Sequence, residues 1–139
     1  MGNNILGIEK AATLETKRAS AKISTNNISL KEKIDKLNDL SYQLRNGDPE
    51  KALLHGEEAR QLSSKISYKK GLGYSLRNMG ICEWRLTDYH SSKENLSKAI
   101  NIFDEIGDKS GKASSLNGLG IIYRRQREYD RSIKLYKKV

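Results

Sequence analysis

The sequence predicts an all-α fold of antiparallel helical hairpins stacked side by side, and two observations carry that prediction. The first is self-similarity at a shift of forty residues. Lys69, Gly71, Ser75, Leu76, Gly80, Ile81, Arg85, Tyr89 and Ser92 recur as Lys109, Gly111, Ser115, Leu116, Gly120, Ile121, Arg125, Tyr129 and Ser132. A fainter copy lies upstream, where Arg45, Asp48, Ala59, Leu62 and Ile66 precede Arg85, Asp88, Ala99, Ile102 and Ile106 by the same shift. The second is composition: 139 residues contain one proline and few aromatics beyond seven tyrosines, which favours continuous helices over a turn-rich β fold. A fixed period of this length marks a stacked repeat in which each unit touches only its neighbours. Function is then expected on an extended surface rather than in one catalytic pocket.

The elements follow in order. Residues 1–28 read as an N-terminal extension, partly helical or flexible, in which Ile8, Ala11, Ala12, Leu14 and Ala19 share one helical face and Ser24 to Asn27 form a loop. Ser29 with Glu32 makes a capping box that opens a helix. Ile34, Leu37, Leu40, Ser41 and Leu44 continue it as one stripe, and Asn46-Gly47 ends it through a left-handed glycine. Asp48, Pro49 and Glu50 mark the next start, as N-cap, first-turn proline and dipole-facing acid. Ala52, Leu53, Ala59, Leu62 and Ile66 give that helix its apolar face. A third helix is expected from about Tyr68 to Leu86. Thr87-Asp88 caps a fourth bearing Leu96, Ala99, Ile100, Phe103 and Ile106, and Gly107 closes it. Asp108 caps a fifth to about Gln126, and a sixth begins near Tyr129. Gly80 and Gly120 fall inside helices, where glycine costs about 1 kcal/mol relative to alanine, so both are expected at helix–helix contacts.

Charge and cysteine usage bound the function. The net charge is +9, and residues 109–139 alone hold nine basic and two acidic side chains, contributing +7 of it. Apolar runs are too short for a membrane span, and the first residues lack the basic and apolar regions of a secretion signal. Gly2 follows the initiator, but position 6 is Leu where a myristoylation motif needs Ser or Thr. The lone Cys82, amid Met79, Gly80, Ile81 and Trp84, reads as a small buried residue in a reducing, cytoplasmic setting.

These residues resemble the tetratricopeptide repeat family. The last copy presents its pattern as Leu116, Leu119, Gly120, Tyr123, Tyr129, Ser132 and Tyr136. The preceding copy shows Leu76, Asn78-Met79-Gly80, Asp88-Tyr89, Ser92, Leu96 and Ala99. The first copy is degenerate, keeping Ala52 and Ala59 but holding Leu40 at the glycine slot. The resemblance spans about residues 29–139, with repeats at about 29–67, 68–107 and 108–139, the last truncated. It implies a right-handed superhelix. Asp104 stands where the family's helix-closing proline usually falls, and the longer helices are similar to arrays in spindle-orientation adaptors and bacterial signalling proteins.

The resemblance implies an interaction module that binds a peptide or partner helix in a concave groove lined by the first helix of each repeat. By position, that groove presents Tyr74, Arg77, Asn78, Ile81, Trp84 and Arg85, then Ser114, Asn117, Ile121, Arg124 and Arg125. Asn78 is either an amide for a peptide backbone or a structural polar residue. Trp84 suits inter-helix packing ahead of a binding hot spot. Arg45, Arg85 and Arg125 sit near helix ends, where the dipole favours cations, with a grip on acidic peptides as their second reading. A regulatory segment preceding an adenylate or guanylate cyclase or histidine kinase domain is the alternative function.

Other chemistry is not expected. Arg124, Arg125, Arg127, Arg131, Lys134, Lys137 and Lys138 are basic but fall around several faces of two helices, which disfavours nucleic acid and favours a charged outer face, or pairing with an acidic protein partner or a missing repeat. Gly107 to Lys112 imitates a phosphate loop but is one residue short, and Ala113 replaces the required Ser or Thr. His55 and His90 are isolated on separate helices, so no metal is expected, and no cofactor or catalytic constellation is expected either. The final helix, with Ile133, Tyr136 and Val139 on one face and no polar cap, is expected to need a partner or to self-associate.

Overall fold

A computed structural model describes the backbone of residues 2–138 and the side chains of 13–19, 29–135 and 137. Five helices follow one another: α1 (Gly2–Leu44), α2 (Pro49–Lys65), α3 (Lys69–Arg85), α4 (Tyr89–Ile106) and α5 (Lys109–Lys138). There is no strand among the described residues. Among the described residues no helix is long and apolar enough to cross a membrane. Each helix packs on its successor, α1 also touches α3, and α3 also touches α5, so the hairpins stack as a helical solenoid.

The caps operate largely as the sequence dictates. Asp48 accepts the Lys51 amide, and Pro49 opens α2. Asp88 accepts the Ser91 amide at the start of α4, and Asp108 accepts the Gly111 amide at the start of α5. Three helix ends share one further device. Ser67 (φ 55°), Thr87 (φ 67°) and Gly107 (φ 74°) are left-handed. The amides of Tyr68, Asp88 and Asp108 each reach five residues back, to Ser63 at 2.8 Å, Glu83 at 2.8 Å and Phe103 at 2.9 Å. This is the Schellman arrangement, which satisfies carbonyls that the helix end leaves open. Gly47 departs from the expectation: it is not left-handed, and the Asp48 amide instead continues onto the Leu44 carbonyl at 2.9 Å.

Two expected helix boundaries are absent. α1 runs through positions 24–29 without a loop. No Gly or Pro lies between Ile8 and Asn46, so nothing interrupts propagation once the helix has nucleated. Leu14 and Ala19 are exposed on it, while the side chains of Ile8, Ala11 and Ala12 lie outside the described residues. Likewise α5 is a single helix of 30 residues rather than two. Its positions 126–128 are Gln-Arg-Glu, all good helix formers, where the α3–α4 turn has Leu86-Thr87-Asp88.

Two clusters make the core. Ile34, Leu37 and Ala59 pack with Leu62, Ile66 and Tyr68 between α1 and α2. Leu76, Ala99 and Phe103 pack with Leu72, Tyr74 and Ile102 between α3 and α4. Hydroxyls tie the hairpins where backbones come close: Ser41 Oγ donates to the Ala52 carbonyl at 2.7 Å, and Ser92 Oγ to the Gly80 carbonyl at 2.5 Å. A Cβ on Gly80 would meet Leu96 Cγ at 2.6 Å, so α3 approaches α4 only because that side chain is missing. Gly120 does not repeat this contact. Nothing lies within 4 Å of its would-be Cβ, because α5 does not fold back to supply the second helix of a hairpin. Leu116, at 48% exposure, and Tyr123, at 55%, share that uncovered face. Their counterparts Leu76 and Glu83 are buried.

The two glycines therefore separate in stability. Gly80→Ala should cost about 1–3 kcal/mol by overpacking against Leu96, whereas Gly120→Ala should gain about 0.5–1 kcal/mol of helix propensity. Urea denaturation midpoints that move together would remove the distinction. Thr87 is β-branched and left-handed, a conformation that costs an L-residue about 1–2 kcal/mol. Thr87→Gly should accordingly raise the thermal midpoint, and a fall would show that the turn is not strained.

Candidate functional site

Alternate members of an antiparallel stack run in the same direction, so α1, α3 and α5 lie side by side. Their facing surfaces enclose two cavities that share Tyr42, of about 250 and about 400 Å3. The smaller lies towards the C-terminal ends of α1 and α3. Ile81, Trp84 and Arg85 of α3 face Ser114, Asn117 and Ile121 of α5 across it, and Tyr42 and Arg45 of α1 close one side. Leu96, Gly118 and Ile122 also line it. The larger joins Tyr74, Arg77 and Asn78 of α3 to Asp35, Asn38, Asp39 and Tyr42 of α1, with Lys70 at its edge.

Of the eleven residues that the resemblance places in a groove, the structure brings nine to these cavities. Arg125 is near the smaller one, its guanidinium 6.0 Å from the Trp84 ring. Arg124 is exposed and lines neither. The contribution of α1 escapes the resemblance because the first copy is degenerate. The forty-residue offset still points to it, since Arg45 stands forty before Arg85 and eighty before Arg125.

Cations over aromatic faces organise this surface. Arg77 sits 4.8 Å from the ring of Tyr42 and 4.8 Å from that of Tyr74, Arg45 sits 3.7 Å from Tyr42, and Arg85 sits 5.0 Å from Trp84. Such contacts are worth about 0.5–2 kcal/mol according to desolvation. They orient the guanidinium groups without neutralising them, and none of Arg45, Arg85 and Arg125 forms an ion pair among the described residues. Arg45 and Arg85 lie at helix C-termini, where the dipole accounts for a cation. Arg125 lies inside α5, which runs on to Lys138, so the dipole does not account for it.

Two of the expected groove residues are also structural. Tyr74 donates its hydroxyl to Asp108 Oδ2 at 2.8 Å and meets Phe103 edge-on at 4.8 Å. The Gly111 amide and then the Tyr74 hydroxyl hold Asp108 below the usual carboxylate range, while burial, followed by Asp108, pushes the Tyr74 hydroxyl above its usual value. Asn78 is 2% exposed. Its Nδ2 donates to the Asn38 carbonyl at 3.0 Å, and its Oδ1 accepts from Arg77 at 2.8 and 3.2 Å. Asn38, forty residues earlier, donates in turn to the Gly71 carbonyl at 3.1 Å. The third place in this series is Gly118. Trp84 is half-buried, and its Nε1–H finds no partner among the described residues.

Away from the groove, α5 aligns its charges. Arg124, Arg127, Arg131 and Lys134 are exposed on one continuous helix at spacings of three and four, which places them on one stripe instead of around two helices. Lys138 and Tyr136 have side chains outside the described residues, and Val139 lies wholly outside them. Among the described residues no group of three or more His, Cys, Asp and Glu is arranged to hold a metal. His55 belongs to α2 and His90 to α4.

Asn78→Ala removes a buried amide that bridges α1 and α3, and should cost about 1–3 kcal/mol. Chemical denaturation checks this, and a change below about 0.5 kcal/mol would show that the bridge is dispensable.

Residues 71–139 match the family model described as tetratricopeptide repeat. No curated protein and no solved structure gives a significant match to the chain.

Proposed function

The chain belongs to the tetratricopeptide repeat family over residues 71–139, and from that premise we propose that it is a protein-interaction module whose groove takes an extended peptide or a partner helix. The observation that carries this reading is the surface shared by α1, α3 and α5, where Trp84 and Ile121 are flanked by arginines that form no ion pair among the described residues. Aromatic and arginine side chains are the residues most often enriched where binding energy concentrates. An acidic partner matches both those arginines and the basic stripe of α5, and charge complementarity would mainly raise the association rate. The family is typically non-catalytic, and we read this chain as a binding module rather than an enzyme. As the regulatory segment of a signalling enzyme it would use the same groove as its input surface.

The uncovered face of α5 supports self-association as a companion reading, because Leu116 and Tyr123 lie open where a second helix covers their counterparts in α3. Sedimentation velocity at rising concentration tests it, and a monomer throughout would remove it. We place the chain in the cytoplasm, where a lone thiol stays reduced. Burial pushes the Cys82 thiol up to about 11, which makes it unreactive. Cell fractionation tests this placement, and recovery of the chain outside the cytoplasmic fraction would refute it.

The groove is tested by selecting from a random peptide library and titrating the selected peptides against the emission of Trp84, the single tryptophan. Selected peptides should be acidic and should shift that emission saturably. Arg85→Glu should weaken them at least about tenfold, about 1.4 kcal/mol, with helical circular dichroism retained. Failure to select any peptide, or binding indifferent to Arg85→Glu, would refute the groove reading.

A further inference from the structure

The Asn38, Asn78, Gly118 series marks where one seam of the array differs from the other. At the α1–α3 seam a buried amide bridges the two helices beside the larger cavity, since Asn78 reaches across to the Asn38 carbonyl. At the α3–α5 seam the equivalent position is Gly118, which has no side chain to reach Asn78. The smaller cavity lies there, with Gly118 among its lining residues. A Cβ on Gly118 would meet only Leu96, at 3.2 Å to its nearest methyl. The backbone does not require glycine for conformation, because position 118 is ordinary helix within α5. Gly118 therefore leaves this cavity without the bridging amide that crosses the other seam.

We propose that this cavity is an anchor pocket for a single large apolar side chain of an acidic peptide. The inference rests on the groove reading above and narrows it to one subsite. Size is the first support. About 250 Å3 falls below the roughly 300–1,000 Å3 of a small-molecule site and suits one side chain. Chemistry is the second: Ile81, Trp84 and Ile121 form apolar walls over a base of Leu96 and Ile122. Charge is the third. The lining contains Arg45 and Arg85 and no carboxylate, and Arg125 stands beside Trp84. An occupant must offer an apolar group to the walls and negative charge to the rim, which an acidic peptide with one large apolar residue does. The larger cavity differs, since Asp35 and Asp39 balance Lys70 and Arg77 there. The ligand's acidic stretch accordingly belongs at the C-terminal ends of α1 and α3.

The test uses the whole chain and a series of acetylated, amidated peptides Asp-Glu-X-Glu-Asp, with X as Ala, Leu or Phe, read by Trp84 emission and by calorimetry. Affinity should rise from Ala to Phe by roughly ten- to a hundredfold, the range that burying such a side chain supplies. In Gly118→Asn the added amide enters the cavity and can bond to the Asn78 carbonyl as Asn78 bonds to Asn38. Its thermal midpoint should hold while the Ala-to-Phe gain collapses. Gly118→Ala, which adds one methyl group, should lose part of the gain and guards against misfolding of the larger substitution. Gly120→Ala, on the opposite side of α5, should leave the series unchanged. A flat series on the unmodified chain, with some peptide still binding, overturns the pocket and spares the groove. A steep series that persists in both Gly118 variants overturns it as well. No binding by any peptide sinks both readings. Emission that shifts with protein concentration instead of peptide assigns the cavity to a second copy and overturns the proposal.

Discussion

Backbone proximity at small residues is the constraint on which the array depends. At Gly80 a single added carbon would sit 2.6 Å from Leu96 Cγ, and at Gly111 one would sit 2.5 Å from the Phe103 ring. Large residues of α4 thus enter spaces that α3 and α5 leave open by omitting a side chain. Approach this close buries polar backbone, which must be satisfied. The Ser92 hydroxyl on the Gly80 carbonyl and the Ser41 hydroxyl on the Ala52 carbonyl supply second bonds at these contacts. Proximity also sets the spacing between α1, α3 and α5, and therefore the width of the surface they share. The groove follows from packing on the far side of the same helices.

Much of this was legible in the residues because the repeat and the caps are local signals. Asp48, Asp88 and Asp108 are short acceptors followed by helix, and each caps the helix that was expected after it. The errors share one cause. Both missing breaks, near residue 27 and near residue 128, lack the Gly or Pro that ends a helix outright, and at 24–29 the Ser, Thr and Asn side chains and the Ser29–Glu32 pair do not suffice to interrupt α1. At 126–128 the forty-residue offset suggests a turn, yet Gln-Arg-Glu provides neither a left-handed residue nor a short cap. Ser67 and Thr87 show the converse, since neither residue type advertises a left-handed conformation. The Schellman bonds from the Tyr68 and Asp88 amides accompany it at both turns.

The groove was legible in part for a related reason. Positional analogy locates residues of α3 and α5 well, since Ile81, Trp84, Arg85, Ser114, Asn117 and Ile121 meet around one cavity. Analogy says less about which atoms remain free. Asn78 occupies its expected place, but one amide hydrogen and its oxygen are engaged within the array. Tyr74 likewise directs its hydroxyl to the cap of α5. Such residues shape a binding surface by fixing its helices, and their loss would alter binding through geometry before any direct contact. Arg45, Arg85 and Arg125 differ because aromatic faces hold them while their charge stays uncompensated.

The continuity of α5 joins these features. If the helix turned at residue 128, its second half would cover Gly120, Leu116 and Tyr123, as α4 covers Gly80, Leu76 and Glu83. The straight helix leaves that face open and sets Arg124, Arg127, Arg131 and Lys134 on one exposed stripe. The two sides of α5 then have different characters. Its groove side carries Ser114, Asn117, Ile121 and Arg125 against α3 and is positioned by packing. Its other side is apolar near Leu116 and Tyr123 and basic beyond, with Lys93 lying over the Tyr123 ring at 5.2 Å. Like charges along that stripe repel a second copy of the same helix in parallel register, whereas an acidic surface would be drawn to it. One helix thus offers two separable contacts, and substitutions at Gly118 and Gly120, two residues apart, address them independently.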